Sequence, residues 1–198
     1  VSFARLLYLS EDLWDRLRMA EYLKPALGGL VLGVVGLLSP KLGGFPRVYG
    51  VGYETITEAL VSSLAIQMAV ALLVLKLLAT IITLGSGGSG GVFAPSLFMG
   101  AMLGEAFGQA VHLAFPAITA PSGAYALVGM AAFFSGAAHA PITAIIIVFE
   151  MTRDYRIILP LMLATVISTL LSRLISSDSI FSLTLSRRCG HLKHGQDI

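Results

Sequence analysis

Apolar stretches of unequal length dominate the chain. The longest extends from about Leu60 to Leu84, with Gln67 and Lys76 as its strongly polar side chains. A helix needs about 20 predominantly apolar residues to cross the hydrocarbon core of a bilayer, so this stretch predicts a membrane-spanning helix. The stretch from Ile157 to Leu174 predicts another, with Pro160 near its first turn, where a missing amide costs least.

Three shorter apolar stretches do not reach that length. One runs from Ala26 to Leu38, and two of about ten residues run from Tyr125 to Phe134 and from Ile142 to Met151. Segment 135–141, rich in small residues, separates the last two. Broken helices are tolerated in a membrane only where their freed backbone groups are buried in protein or line a polar cavity. The pair therefore predicts a helix interruption inside the protein.

The remaining segments predict shorter or irregular elements. An amphipathic helix, and not a signal peptide, opens the chain, and the glycines and aromatics from Lys41 to Tyr53 predict an irregular loop. A short helix is predicted around Glu54 to Leu60, and a final amphipathic helix around Ile180 to Arg188. Because the chain opens with Val1 rather than Met, we expect the natural protein to begin further upstream.

A glycine-rich segment, Gly85–Gly91, follows the longest apolar stretch and leads into a predicted helix that continues to about Phe115. Its glycines satisfy G-x-G-x-x-G, but the dinucleotide fingerprint needs a preceding strand, and here a predicted spanning helix precedes it. A glycine turn followed by Pro95 near a helix start exposes backbone amides at the positive end of the helix dipole, which binds anions. A flexible packing hinge between two helices is an equally weighted alternative.

The predicted helix after the glycines carries two further signals. Gly100, Gly104 and Gly108 recur every four residues, a pattern that lets helices approach closely in lipid. Glu105 interrupts the same apolar helix, and an ionised side chain that faces lipid is costly. We therefore expect Glu105 to face protein or an aqueous rim.

Composition excludes several classes of protein. Of the 198 residues, 56% are hydrophobic and 12% charged, against about 25% charged in a typical soluble domain. Lys and Arg lie mostly at the edges of the apolar segments and the net charge is +2, so nucleic acid is not an expected partner. The single Cys189 allows no internal disulfide and no metal-binding spacing. Because an H-E-x-x-H motif is absent and Gly88-Ser89-Gly90 belongs to the glycine loop rather than to a catalytic serine motif, we expect no enzyme activity, no metal and no cofactor.

Several motifs, in order, resemble those of the CLC family of chloride channels and chloride/proton antiporters. Gly91–Pro95 resembles the family's G-x-F-x-P anion-site motif, and Ala140–Ala144 and Phe149–Thr152 resemble its broken helix pair and acidic-Met-Thr turn. The likeness extends from about Leu17 to Gly190. It implies an all-α polytopic membrane fold: the second inverted repeat of a CLC-type fold, with tilted and broken helices.

The resemblance also implies a domain plan and a site. Residues 1–188 would form the C-terminal half of the transmembrane domain, and 189–198 a cytoplasmic tail or connector, which leads to CBS domains in many members. The backbone amides of Val92 and Phe93 would donate to a central chloride, within the motif that Gly91 and Pro95 help to define. Phe181 aligns with a position where the family commonly has Tyr, so the site would lose one hydroxyl donor. A plain core aromatic is the alternative role for Phe181.

The implied function is transport of chloride or a similar small anion, with protons as an open second substrate. The family's gating Glu and proton-transfer acid would lie upstream, in the N-terminal half, so channel and antiporter are not distinguished. The family forms homodimers, and helices corresponding to about Ile142–Met151 and Ile157–Leu174 contribute to the contact. We expect a multi-pass protein of the cell membrane, surrounded by lipid. A pore-less scaffold or accessory subunit is the alternative if the chain is naturally complete.

Two titratable residues of the predicted broken helix pair have open roles. Glu150 lies at the end of an apolar half-helix next to a polar turn, and we expect it to have a structural role, with Arg153 as the candidate partner, rather than to carry protons. His139 titrates near neutral pH, yet satisfying a buried backbone group is a commoner use for such a residue than pH sensing.

Overall fold

The computed structural model describes residues 2–16, 23–38, 48–61, 64–176 and 179–180, and all regular elements within these ranges are helical. The α-helices are α1 (Ser2–Arg16), α2 (Leu23–Leu38), α3 (Tyr53–Leu60), α4 (Ile66–Gly85), α5 (Phe93–Ala114), α6 (Ser122–Ala138), α7 (Pro141–Thr152) and α8 (Ile158–Ile175), with a 3-10 turn at Tyr155–Ile157. The final predicted helix after Ile180, the predicted tail and most of the predicted loop after Lys41 lie outside the described residues.

Within the described ranges, two helical segments, Ile66–Gly85 and Tyr155–Ile175, are long and apolar enough to cross a membrane by length and composition. They correspond to the two predicted spanning helices. About a fifth of each segment, 22%, is buried inside the protein, which leaves wide apolar faces. Such faces are expected where a helix contacts lipid or another chain rather than water.

The predicted start of the first spanning helix at Leu60 was wrong. The short helix α3 ends at Leu60, and α4 begins only at Ile66, after Ala65 in extended conformation (φ −72°, ψ 147°). Apolar residues continue through the break, so hydropathy alone does not reveal it. The break has a packing role, because a Cβ on Gly123 of α6 would lie 2.7 Å from the carbonyl carbon of Leu60.

The interruption after α6 is shorter than predicted. Residues 135–138, expected in the gap, complete the 17-residue helix α6, and α7 has 12 residues. The break reduces to His139, which adopts a left-handed conformation (φ 56°), and Ala140. Pro141 has no amide hydrogen to continue a helix from α6, but it fits the first turn of α7.

Glycines hold α5 and α6 against each other. A Cβ added to Gly104 would lie 2.9 Å from Ala126 Cα, and one added to Gly100 would lie 2.6 Å from the carbonyl oxygen of Gly129. Neither distance leaves room for a methyl group, so the two backbones touch directly. The predicted close approach at Gly100, Gly104 and Gly108 is confirmed, and α6 is the partner.

Hydroxyl groups join α6 to α8. Ser168 Oγ donates to the carbonyl of Ala132 at 2.7 Å, and Ser135 Oγ donates to that of Thr165 at 3.0 Å. Ser172 Oγ donates to the carbonyl of Gly136 at 2.5 Å. Interhelical hydrogen bonds of this kind replace the hydrophobic driving force that helices lack in lipid.

The amphipathic first helix packs against α4. Phe3 and Leu7 are buried, whereas Leu9 and Leu13 are exposed, as the predicted amphipathic pattern requires. Ser10 Oγ donates to the carbonyl of Ile81 at 3.1 Å. The N-terminal helix is therefore part of the folded protein and contacts the helix that leads into the glycine segment.

Candidate anion site at the start of α5

The glycine segment begins as an ordered turn at the end of α4. The amides of Ser86, Gly87 and Gly88 donate to carbonyls of the last turn of α4 at 3.0, 3.1 and 2.9 Å. Gly87 has φ 80°, a left-handed conformation that glycine adopts without steric cost. A Cβ on Gly88 would lie 2.8 Å from the carbonyl oxygen of Thr83. The glycines therefore reverse the chain tightly, and this geometry argues against a loose hinge.

The start of α5 presents unpartnered amides. Val92 is the N-cap and Phe93 the first helical residue, and no side chain caps this end. The first internal bond is donated by the amide of Ser96 to the carbonyl of Val92, at 3.1 Å. Among the hydrogen bonds of the described residues, none is donated by the amides of Val92, Phe93 or Ala94. These amides, at the positive end of a 22-residue helix, are suited to hold an anion.

Aromatic and small residues surround this helix end. The rings of Phe93 and Phe134 meet edge to face, with centroids 4.8 Å apart. Val92 and Phe134 also line a small cavity of about 10 Å³ together with Ser96 and Ile180. Phe181 follows Ile180 directly but lies outside the described residues, so its predicted place in the site stays a prediction.

A larger cavity of about 320 Å³ lies beside the same helix end. Gly91 and Pro95 line it, and so do Lys76 of α4 and Tyr49. The structure thus places the four described members of the predicted site at one helix end, between a small and a large cavity. No sequence pattern assigned Lys76 to this cavity, although a cation within a predicted spanning helix could have indicated a functional role.

The buried Lys76 is held by neutral groups. Its Nζ donates to the carbonyls of Val48 and Gly50, at 2.8 and 2.6 Å, and lies 4.9 Å from the centroid of the Phe98 ring. Only 4% of the residue is exposed. Lys76 therefore ties the segment before α3 to α4 and contacts the second turn of α5.

Glu105 is fully buried within the protein, which confirms the expected orientation away from lipid. Its Oε1 accepts from Gln109 Nε2 at 2.7 Å and from Ser122 Oγ at 2.9 Å. Gln109 Nε2 also donates to the carbonyl of Leu64. Glu105 therefore joins α5 to α6 and, through Gln109, to the break before α4.

The structure describes both titratable residues whose roles the sequence leaves open, Glu150 near the end of α7 and His139 at the α6–α7 break. The expected pair of Glu150 and Arg153 was wrong, since no ion pair joins these two described residues. Arg153 instead ends α7 in left-handed conformation (φ 52°), and its amide donates to the carbonyl of Phe149 at 2.7 Å. His139 Nε2 lies 3.1 Å from Ser172 Oγ, a hydrogen bond that connects the break to α8.

These features define a helical membrane protein with a broken pair of helices, α6 and α7, and an uncapped start of α5. The chain belongs to the voltage-gated chloride channel family, whose profile, described as "Voltage gated chloride channel", matches residues 1–173. The predicted all-α second repeat of a CLC-type fold agrees with this assignment. Proteins of this family are integral membrane proteins.

Individual relatives agree with the family. The chain is 36% identical over 172 residues to a "Putative chloride channel protein ClcB-like" of Ralstonia nicotianae, covering 87% of this chain and 39% of that protein. It is 33% identical over 188 residues to the "H(+)/Cl(-) exchange transporter ClcA" of Yersinia pestis, covering 94% of this chain and 39% of that protein. The chain thus spans about two fifths of the length of these curated relatives.

A solved structure has the same fold. It is the crystal structure of a slow cyanobacterial Cl⁻/H⁺ antiporter, with a TM-score of 0.78 and 28% sequence identity. The match covers 96% of this chain and 44% of the antiporter chain.

Proposed function

We propose that the full-length protein transports chloride, or a similar small anion, across a membrane. The unpartnered amides of Val92, Phe93 and Ala94 at the start of α5 carry this proposal. Amides offer partial charges only, so an anion binds strongly enough to enter and weakly enough to leave. Chloride/proton exchange is the mode to test first, because the Yersinia relative and the cyanobacterial antiporter are both named as exchangers.

In this proposal the amides of Val92 and Phe93 bind the anion directly. Gly91 has no side chain to block the approach, and Pro95 offers no amide of its own and fits the first turn of the helix. Phe181 contributes an aromatic ring but lacks the hydroxyl donor that a Tyr would add. No resident cofactor or metal is needed, since the anion is moved and not chemically changed.

The setting that fits this function is a multi-pass protein of the cell membrane that acts as a homodimer. The outer faces of α7 and α8 support the dimer, because Ile142, Leu159 and Leu174 are exposed and apolar. Lipid covers such a face equally well, so the oligomeric state needs its own measurement. The comparisons contain nothing that favours a pore-less accessory subunit.

The decisive experiment measures chloride flux from liposomes that contain the full-length protein, with and without an opposing proton gradient. Flux that drives proton movement supports exchange, and flux without proton movement supports a channel. Absence of any chloride flux from a folded, reconstituted protein would overturn the proposed function.

A second measurement addresses the site. Val92→Pro removes one of the proposed donor amides, and Gly91 before it minimises the steric clash with the proline ring. Val92→Ala keeps the amide and is the matched control. Chloride affinity should fall in Val92→Pro and stay near the wild-type value in Val92→Ala, as measured by calorimetry. Equal affinity in the two variants would contradict the assignment of this amide.

A further inference from the structure

Within the described part of the chain, Lys76 is an intramembrane cation that contacts only neutral groups. Its Nζ donates to two carbonyls, those of Val48 and Gly50, and faces the Phe98 ring. Among the described residues, no carboxylate lies within ion-pair distance of this Nζ. The hydrogen-bonding needs of the ammonium group are thus met, but its positive charge is not neutralised within the described part of the chain.

An unneutralised charge inside a membrane protein is expensive and is usually retained for a function. Two of the three N–H donors of Lys76 are used by the carbonyls of Val48 and Gly50, and the Nζ atom lies over the Phe98 ring. Direct ligation of an anion would require the side chain to leave these contacts. Lys76 is therefore placed to act through its electrostatic field rather than as a ligand.

The ammonium group of Lys76 lies close enough to the candidate anion site for its electric field to act on a bound anion. Phe98 lies five residues after Phe93, which corresponds to about 8 Å along the axis of α5. The Lys76 side chain also lines the same cavity as Gly91 and Pro95. The ammonium group is therefore on the order of 10 Å from the first amides of α5.

We propose that Lys76 is a positioning residue for transport, which raises the affinity of the site at Val92 and Phe93 for small anions without contacting them. The inference rests on the proposed function. Two unit charges about 10 Å apart at an effective dielectric constant of about 20 interact strongly enough to change a binding constant about tenfold. Because the carbonyls of Val48 and Gly50 hold the ammonium away from the site, its full charge does not trap the anion.

Chloride binding to the purified full-length protein, measured by calorimetry, tests the charge of Lys76. Lys76→Gln keeps a hydrogen-bond donor but removes the charge, and its chloride affinity should fall about tenfold. Lys76→Arg keeps the charge and should stay within about threefold of the wild type. If Gln and Arg variants lose affinity equally, or neither loses any, the inference is overturned.

Two controls separate charge from structure. Ser10→Ala removes the hydrogen bond from Ser10 Oγ to the carbonyl of Ile81, on the same helix as Lys76, and changes no charge. Its chloride affinity should equal that of the wild type. Thermal unfolding, measured in parallel, reports any loss of stability in each variant.

A second pair of variants leaves the Lys76 side chain and its two carbonyl acceptors in place. Thr80 lies one turn after Lys76 and lines the same cavity. Thr80→Glu adds a negative charge that should offset the positive field of Lys76 and weaken chloride binding. Thr80→Gln introduces a side chain of the same shape as Glu without the charge, so this variant should bind chloride more tightly than Thr80→Glu. Equal affinity of these two variants would also overturn the inference. Absence of chloride binding in the wild type would instead refute the proposed function and this inference together.

Discussion

Glu105 and Ser122 are joined across the interface of α5 and α6, with Ser122 Oγ donating to Glu105 Oε1 at 2.9 Å. The second carboxyl oxygen, Oε2, is buried and has no hydrogen-bond partner among the described residues. Glu105 is therefore bound by one oxygen only, and the contact closes the same interface that the glycines bring into direct backbone contact. This relationship makes the energetic role of Glu105 testable.

Glu105→Ala should destabilise the full-length protein by about 1–3 kcal/mol, because Gln109 and Ser122 would lose their buried acceptor. Glu105→Gln should cost less, since its amide oxygen can still accept from both. Thermal unfolding in detergent measures the difference. Equal melting temperatures for the wild type and Glu105→Ala would contradict this role.

Gly104→Ala should destabilise the packing of α5 on α6 by about 1–3 kcal/mol or more, since the added methyl would overlap the backbone of Tyr125 and Ala126. Gly33→Ala in α2 is the matched control, because nothing lies within 4 Å of its added Cβ. The control should be neutral or slightly stabilising. Chemical or thermal unfolding of both variants checks this, and a similar loss in both would show that the close approach is not what matters.

Phe181→Tyr should tighten chloride binding if the proposed alignment holds. A new hydroxyl donor to the anion is worth about 0.5–1.5 kcal/mol, which is roughly a two- to tenfold change in the dissociation constant. Calorimetry on the full-length protein measures it, with Phe181→Leu to report the loss of the aromatic ring alone. An unchanged affinity in Phe181→Tyr would place this residue away from the anion and favour a core role.

The proposed dimer predicts that a bulky residue on α8 weakens self-association. Leu163 and Ile167 are 66% and 52% exposed, and tryptophan at both positions should disturb a close helix contact. Val74→Trp, on the exposed face of α4, is the control. Single-molecule photobleaching in liposomes counts the subunits. A dimer fraction unchanged by the double substitution would move the interface elsewhere.

Local sequence patterns predicted much of this fold. The lengths of the apolar stretches predicted both spanning helices, and the pattern of glycines with Pro95 predicted the turn and the helix start of the candidate site. These features depend on properties of neighbouring residues, namely hydropathy, the missing amide of proline and the steric freedom of glycine. They can therefore be read without knowledge of distant contacts.

Other features depend on residues far apart in the chain. Hydropathy could not locate the break between Leu60 and Ile66, because the residues on both sides are apolar and the break follows from packing against α6. The neighbours of Lys76 come from positions 22 to 28 residues away, and no local pattern assigns carbonyl groups to an ammonium at that separation. The predicted pairing of Glu150 with Arg153 was wrong for a related reason. The left-handed conformation of Arg153 is set by how α7 ends. The hydrophobicity and backbone preferences of a segment follow from its own residues. The hydrogen-bond partners and the burial of a side chain are decided only when the helices pack together.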